Sequence, residues 1–65
     1  MIKIWIEIDG KIESTEITEK TYGFLQDGAI IRNRPIKWFL NQIVKNYGEL
    51  TEENILKFIE EKWII

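Results

Sequence analysis

Arg32, Arg34, Lys37 and Lys45 stand in a stretch, residues 28–48, that contains no Asp or Glu, within a chain that is otherwise acidic. This stretch carries +4 and the segments on either side −3 each, which gives the net charge of −2. Cations concentrated in this way give a small domain a field that an anionic partner can use. Wound into a helix at about 100° per residue, Arg34, Lys37, Trp38, Asn41, Gln42 and Lys45 fall within an arc of about 140°. Cations, carboxamides and an indole on one face can hold phosphates, stack a base or dock an acidic peptide. The competing reading is an ordinary solvated face whose lysines balance the acids of a neighbouring helix. Trp38 weighs against it, because an indole outside the apolar stripe is costly unless something covers it.

Trp5 poses the same question on a strand. It lies between Lys3 and Glu7, on the face opposite Ile2, Ile4, Ile6 and Ile8. If helices cover the isoleucine face, Trp5 is left on the outer face of the sheet, where aromatic residues often mark a contact surface. The alternative is an indole lying flat over neighbouring threonines and lysine stems. Trp63-Ile64-Ile65 ends the sequence with three large apolar residues. These are expected to dock on the sheet or against another subunit.

Chemistry beyond binding has little to stand on. The chain has no histidine and no cysteine, so nucleophilic thiols, disulfides and zinc sites are excluded. Its single serine, Ser14, has no base placed near it by spacing. Glu13, Glu16 and Glu19 lack the Asp-rich, Gly-punctuated spacing of a calcium loop, and no glycine motif cradles a phosphate. The chain is thus read as a non-enzyme with no metal or cofactor.

The elements that must position these residues follow from periodicity. Ile2, Ile4, Ile6 and Ile8 alternate strictly, the mark of a half-buried strand built from stiff β-branched side chains. Asp9-Gly10 then signals a tight turn. A two-residue turn would set Ile6 opposite Glu13 and Ile8 opposite Lys11. A three-residue loop pairs Ile6 with Ile12 and Glu7 with Lys11, and is the register expected here. Ile12 and Ile17 are out of phase for one regular strand, so a strand to about Thr18 with an interruption is expected. A short helix capped by Ser14 competes for this segment. Tyr22–Gln26 and Ala29–Asn33, flanking Asp27-Gly28, read as a second hairpin that Arg34-Pro35 ends.

The C-terminal half is more regular. Ile36, Phe39, Leu40, Ile43, Val44 and Tyr47 recur at helical spacing, and Gly48 supplies a stop. Thr51 is a good N-cap, Glu52 and Glu53 suit the first turn, and Leu50 can staple onto Ile55. Ile55, Leu56, Phe58, Ile59 and Trp63 cover one face of that last helix. The two helices resemble a helix-turn-helix unit in spacing only. The exposed face of the second carries Glu53, Glu60 and Glu61, which phosphates would repel.

At 65 residues the chain reads as one domain, near the lower end of what folds unaided. Fourteen isoleucines and eight aromatic residues against one alanine supply bulk in place of staples. The expected fold is α+β, a small N-terminal antiparallel β-meander of three to four strands packed on a C-terminal two-helix hairpin. Its core is expected to hold Ile2, Ile4, Ile6, Ile8, Ile12, Phe24, Ile30, Ile36, Phe39, Leu40, Ile43, Val44, Ile55, Leu56, Ile59 and Trp63. No leader or membrane span is evident, and the absence of cysteine fits the cytoplasm. The expected function is a small non-catalytic protein-binding module of adaptor, inhibitor or regulatory-subunit type, with another protein or self-association as its partner. A nucleic-acid-binding accessory protein using residues 28–48 is the alternative. The expected contact residues are Arg32, Arg34, Lys37, Trp38, Asn41, Gln42, Lys45 and Trp5.

Overall fold

A computed structural model describes residues 1–63; Ile64 and Ile65 of the C-terminal apolar triplet lie outside the described residues. In chain order the elements are β1 (Ile2–Ile8), β2 (Lys11–Ile17), α1 (Glu19–Arg32), α2 (Ile36–Tyr47) and α3 (Glu52–Lys62). The fold is α+β, with a two-stranded antiparallel sheet and three mutually packed helices. Helix α2 lies against β1 and α3 against β2.

The hairpin takes the register that side-chain pairing argued against, with Ile6 opposite Glu13, Glu7 opposite Ile12 and Ile8 opposite Lys11. The turn decides this. Asp9 and Gly10 both have positive φ, 52° and 82°, as a two-residue type I′ turn requires. Lys11 is exposed where it meets Ile8, so the pairing that looked poor on paper does not bury the charge. Strand β2 runs without a bulge, and the phase offset between Ile12 and Ile17 puts them on opposite faces. Ile17 is fully buried opposite Ile2, whereas Ile12, expected in the core, is 68% exposed.

The second expected hairpin is instead α1. Thr18 caps it, its Oγ1 accepting the Thr21 N–H at 3.2 Å, with Glu19 in the first turn and Arg32 in the last. Asn33 ends it in the left-handed region, φ 57°. The Asn33 N–H reaches the Ile30 carbonyl at 3.1 Å and the Arg34 N–H that of Ala29 at 3.0 Å, the two bonds of a Schellman motif. Asp27-Gly28 therefore lies inside a helix. The buried stripe of α1 is Thr21, Leu25, Gly28 and Ala29, a helical spacing carried mostly by small or polar residues. Phe24, Ile30 and Ile31 face outward, so Phe24 and Ile30 are not core residues as the apolar pattern suggested.

The last two helices match the expectation closely. Helix α2 buries Phe39, Leu40 and Ile43 and ends at Gly48, φ 93°. Helix α3 starts at Thr51, whose Oγ1 accepts the Asn54 N–H at 3.1 Å. Leu50 before the cap and Ile55 after it are both buried, as a hydrophobic staple requires. Leu56, expected inside, is 42% exposed, and Phe58 takes its place beside Ile55 and Ile59. A carboxylate joins the two ends of the chain. Glu52 of α3 accepts the Thr18 N–H at 2.9 Å and the Thr21 hydroxyl at 2.8 Å. It satisfies buried Thr21 and places a negative charge at the positive end of α1.

Candidate functional site

Helix α2 runs beside β1, and its solvent side forms the site. Pro35 fixes the chain for entry into the helix, with φ −67° and ψ 151°, and supplies no side-chain cap. Arg34 and Trp38 are four residues apart across that boundary, and the Arg34 guanidinium lies over the Trp38 indole at 4.4 Å from its centroid. One turn along the same face, the Lys37 ammonium reaches the sheet and sits 4.8 Å from the centroid of the Trp5 ring. Trp5 is on the outer face of the hairpin, opposite Ser14, and is 49% exposed. Each indole is thus covered on one face by a cation of its own chain.

Between β1 and α2 these side chains enclose a groove of about 560 Å³. Trp5, Lys37, Trp38, Asn41, Gln42 and Lys45 line it, six of the eight residues singled out from sequence, and Glu7 is its one carboxylate. Asn41 lines this groove, and its Oδ1 atom is buried and has no hydrogen-bond partner among the described residues. An acceptor in that condition is unusual, because a buried polar atom that gives up water normally finds a donor.

The remaining two residues, Arg32 and Arg34, open onto a second groove of about 510 Å³. Trp38 and Gln42 line both grooves and form the wall between them. The second groove adds Asn46, Lys62 and Trp63, and no Asp or Glu lines it. The Arg32 guanidinium lies 4.5 Å from the Trp63 ring centroid and donates from Nη1 to the Gly28 carbonyl at 3.3 Å. Behind the two indoles an edge-to-face chain of rings leads inward. Trp38 meets Phe39 at 4.9 Å, and Phe39 meets Trp63 at 5.0 Å. Trp63 also meets Phe58, at 5.7 Å between centroids. Trp38 and Trp63 are therefore packed on core rings.

Sequence reasoning expected Trp63 among the core residues, docked on the sheet or against another subunit, and did not assign Lys62 or Asn46 to the site. Trp63 packs on the core with one face and lines the groove with another. The Lys62-Trp63 pair, a cation beside an indole like Lys37-Trp38, was the available signal. Arg32 also arrives differently from the expected turn, projecting from the last turn of α1.

Two titratable groups are shifted, and neither lines these grooves. Glu52 is held below the ordinary carboxylate range, chiefly by the Thr18 backbone N–H and then by the Thr21 hydroxyl. The Tyr47 phenol donates to the Glu61 carboxylate, and this bond pushes its pKa up. Among the described residues no group of three or more His, Cys, Asp or Glu side chains could hold a metal ion. No helix among them is long and apolar enough to cross a membrane. Among the described residues the two grooves together present five cations, three indoles and three carboxamides against one carboxylate side chain. The chain matches no protein-family model and shows no significant similarity to curated proteins or to solved structures.

Proposed function

We propose that the chain is a small non-catalytic protein-binding module and that the two grooves on either side of Trp38 are its docking surface. One observation carries this reading: the fold sets Trp5 of β1 beside five side chains of α2, so that cationic, amide and aromatic groups line a single groove. Tryptophans set in a pocket and backed by packed aromatic rings are the usual anchors of protein interfaces.

Nucleic acid fits less well. Stacking a base needs an open aromatic face, and Trp5 and Trp38 each carry a cation over one. The acidic segments flanking the basic one oppose an extended polyanion.

The test is a photo-crosslinking amino acid at Gln42, which lines both grooves, in the chain expressed in its source cells. A discrete protein adduct that disappears on Trp38→Ala is the expected result. Adducts to nucleic acid alone, or none, would overturn the reading.

A further inference from the structure

We propose that the partner presents an acidic linear segment and that the Arg32–Arg34 groove is the anchor for one of its carboxylates. The inference rests on the protein-binding reading and adds the chemistry of the partner.

Charge is the first argument. Arg32, Arg34 and Lys62 line the groove and, among the described residues, no Asp or Glu does, although acids outnumber basic residues in the whole chain. Cations gathered in a concave surface focus their field on whatever enters it.

Geometry is the second. Each guanidinium lies over an indole, Arg32 over Trp63 and Arg34 over Trp38, and both indoles are packed edge to face on Phe39. At 4.5 and 4.4 Å from the ring centroids, the two guanidinium carbons are in cation–π contact with their indoles, which restricts both side chains. Arg32 spends one donor on the Gly28 carbonyl, which further restricts its side chain. Holding a fork still before binding lowers the ordering cost of a bidentate carboxylate contact. The Schellman turn that joins α1 to α2 sets the spacing of Arg32 and Arg34, so the pair does not depend on a loose loop.

Continuity is the third. Trp38 and Gln42 border both grooves, so a segment anchored at the arginines continues over Trp38 into the groove of Asn41 and Lys45. There its next acidic side chain meets Lys37 or Lys45. Glu7 limits how much negative charge that end accepts. A few spaced carboxylates therefore suit the surface better than a continuous row of phosphates.

The experiment titrates the intact chain with defined probes at low salt, following tryptophan emission. The acidic probe is a peptide of about nine residues, which extended matches the 31 Å long dimension of the molecule. It carries Asp or Glu at alternate positions between Gly and Ser. The second probe replaces each acid by its amide, and the third is single-stranded oligothymidylate of equal charge. The expected result is saturable binding of the acidic peptide, weaker by about tenfold or more for the amide peptide. Arg32→Gln with Arg34→Gln should lose about tenfold or more for the acidic peptide, whereas the charge-matched control Lys11→Gln with Lys57→Gln should not. Circular dichroism establishes that both variants fold, and Arg34→Gln alone replaces the pair if removing Arg32 unfolds the chain.

Equal binding of acidic and amide peptides overturns the acidic partner and leaves the docking surface standing. So does the absence of any binding by the acidic peptide. Oligothymidylate binding as tightly as the peptide overturns it in favour of a general polyanion site. A sedimentation mass of two or more chains, returned to one by the double arginine change, would assign the groove to a second copy and overturn it as well. Failure of the protein-binding reading itself shows separately, as the absence of any protein adduct at Gln42 of the otherwise unchanged chain.

Discussion

The indole of Trp63 rests directly on the α-carbon of Gly28. A Cβ at that glycine would fall 2.6 Å from Cε3 and 2.5 Å from Cη2 of the ring, and closer still to Cζ3. The contact joins the end of α3 to the middle of α1. It gives Trp63 a floor on which to pack while Arg32 covers the ring.

Gly28→Ala therefore has to displace a ring held by Phe39 and Phe58. We expect a loss of about 1–3 kcal/mol from overpacking, despite the gain of roughly 1 kcal/mol in helix propensity. Gly23 is the control, with nothing within 4 Å of a Cβ placed on it in the same helix. Gly23→Ala should stabilise by about 0.5–1 kcal/mol. Urea melts of the two variants check the opposite signs.

Glu52 makes stability depend on acid. Its pKa is depressed by hydrogen bonds from Thr18 and Thr21, so the folded state favours the carboxylate. That contribution is complete above the ordinary carboxylate range and is lost as pH falls through the depressed folded value. Thermal melts of wild type and Glu52→Gln should differ most near neutrality and converge on acidification below about pH 5. A gap that stays constant with pH would place the effect elsewhere.

The hairpin register predicts unequal isoleucines. Ile17→Ala removes a fully buried side chain and should cost about 2–5 kcal/mol. Ile12→Thr, on the outer face, should stay within about 0.5 kcal/mol of wild type. The three-residue loop would bury Ile12, so denaturation of this pair reads the register directly.

Binding should separate charge from anchor. Trp38→Ala is expected to weaken partner binding by roughly 2 kcal/mol or more with little change in salt dependence. Lys37→Glu with Lys45→Glu should act mainly through association rate and through the slope against salt. Stopped-flow association at two ionic strengths distinguishes the two.

Sequence periodicity was sufficient for β1, α2 and α3, because in each the buried side is made of large apolar residues at one clean spacing. Ile4 and Ile6, then Phe39, Leu40 and Ile43, then Ile55 and Ile59, all lie in the core where their period puts them. The exposed arc of α2 was equally legible, since a helix whose apolar stripe is known has its opposite face known too. The sequence also settled the charge pattern and the absence of thiol and imidazole chemistry. Helix α1 was not legible, because local signals and burial disagree there. Asp27-Gly28 looks like a turn, and Phe24, Ile30 and Ile31 look like core. Tertiary packing instead buries Thr21, Gly28 and Ala29, since the space beside Trp63 admits only a residue without a side chain. The meeting of Trp5 with Lys37, and of Arg32 with Trp63, likewise needed the folded chain. Each joins elements distant in sequence, and no local periodicity encodes which edge of a strand a helix will flank.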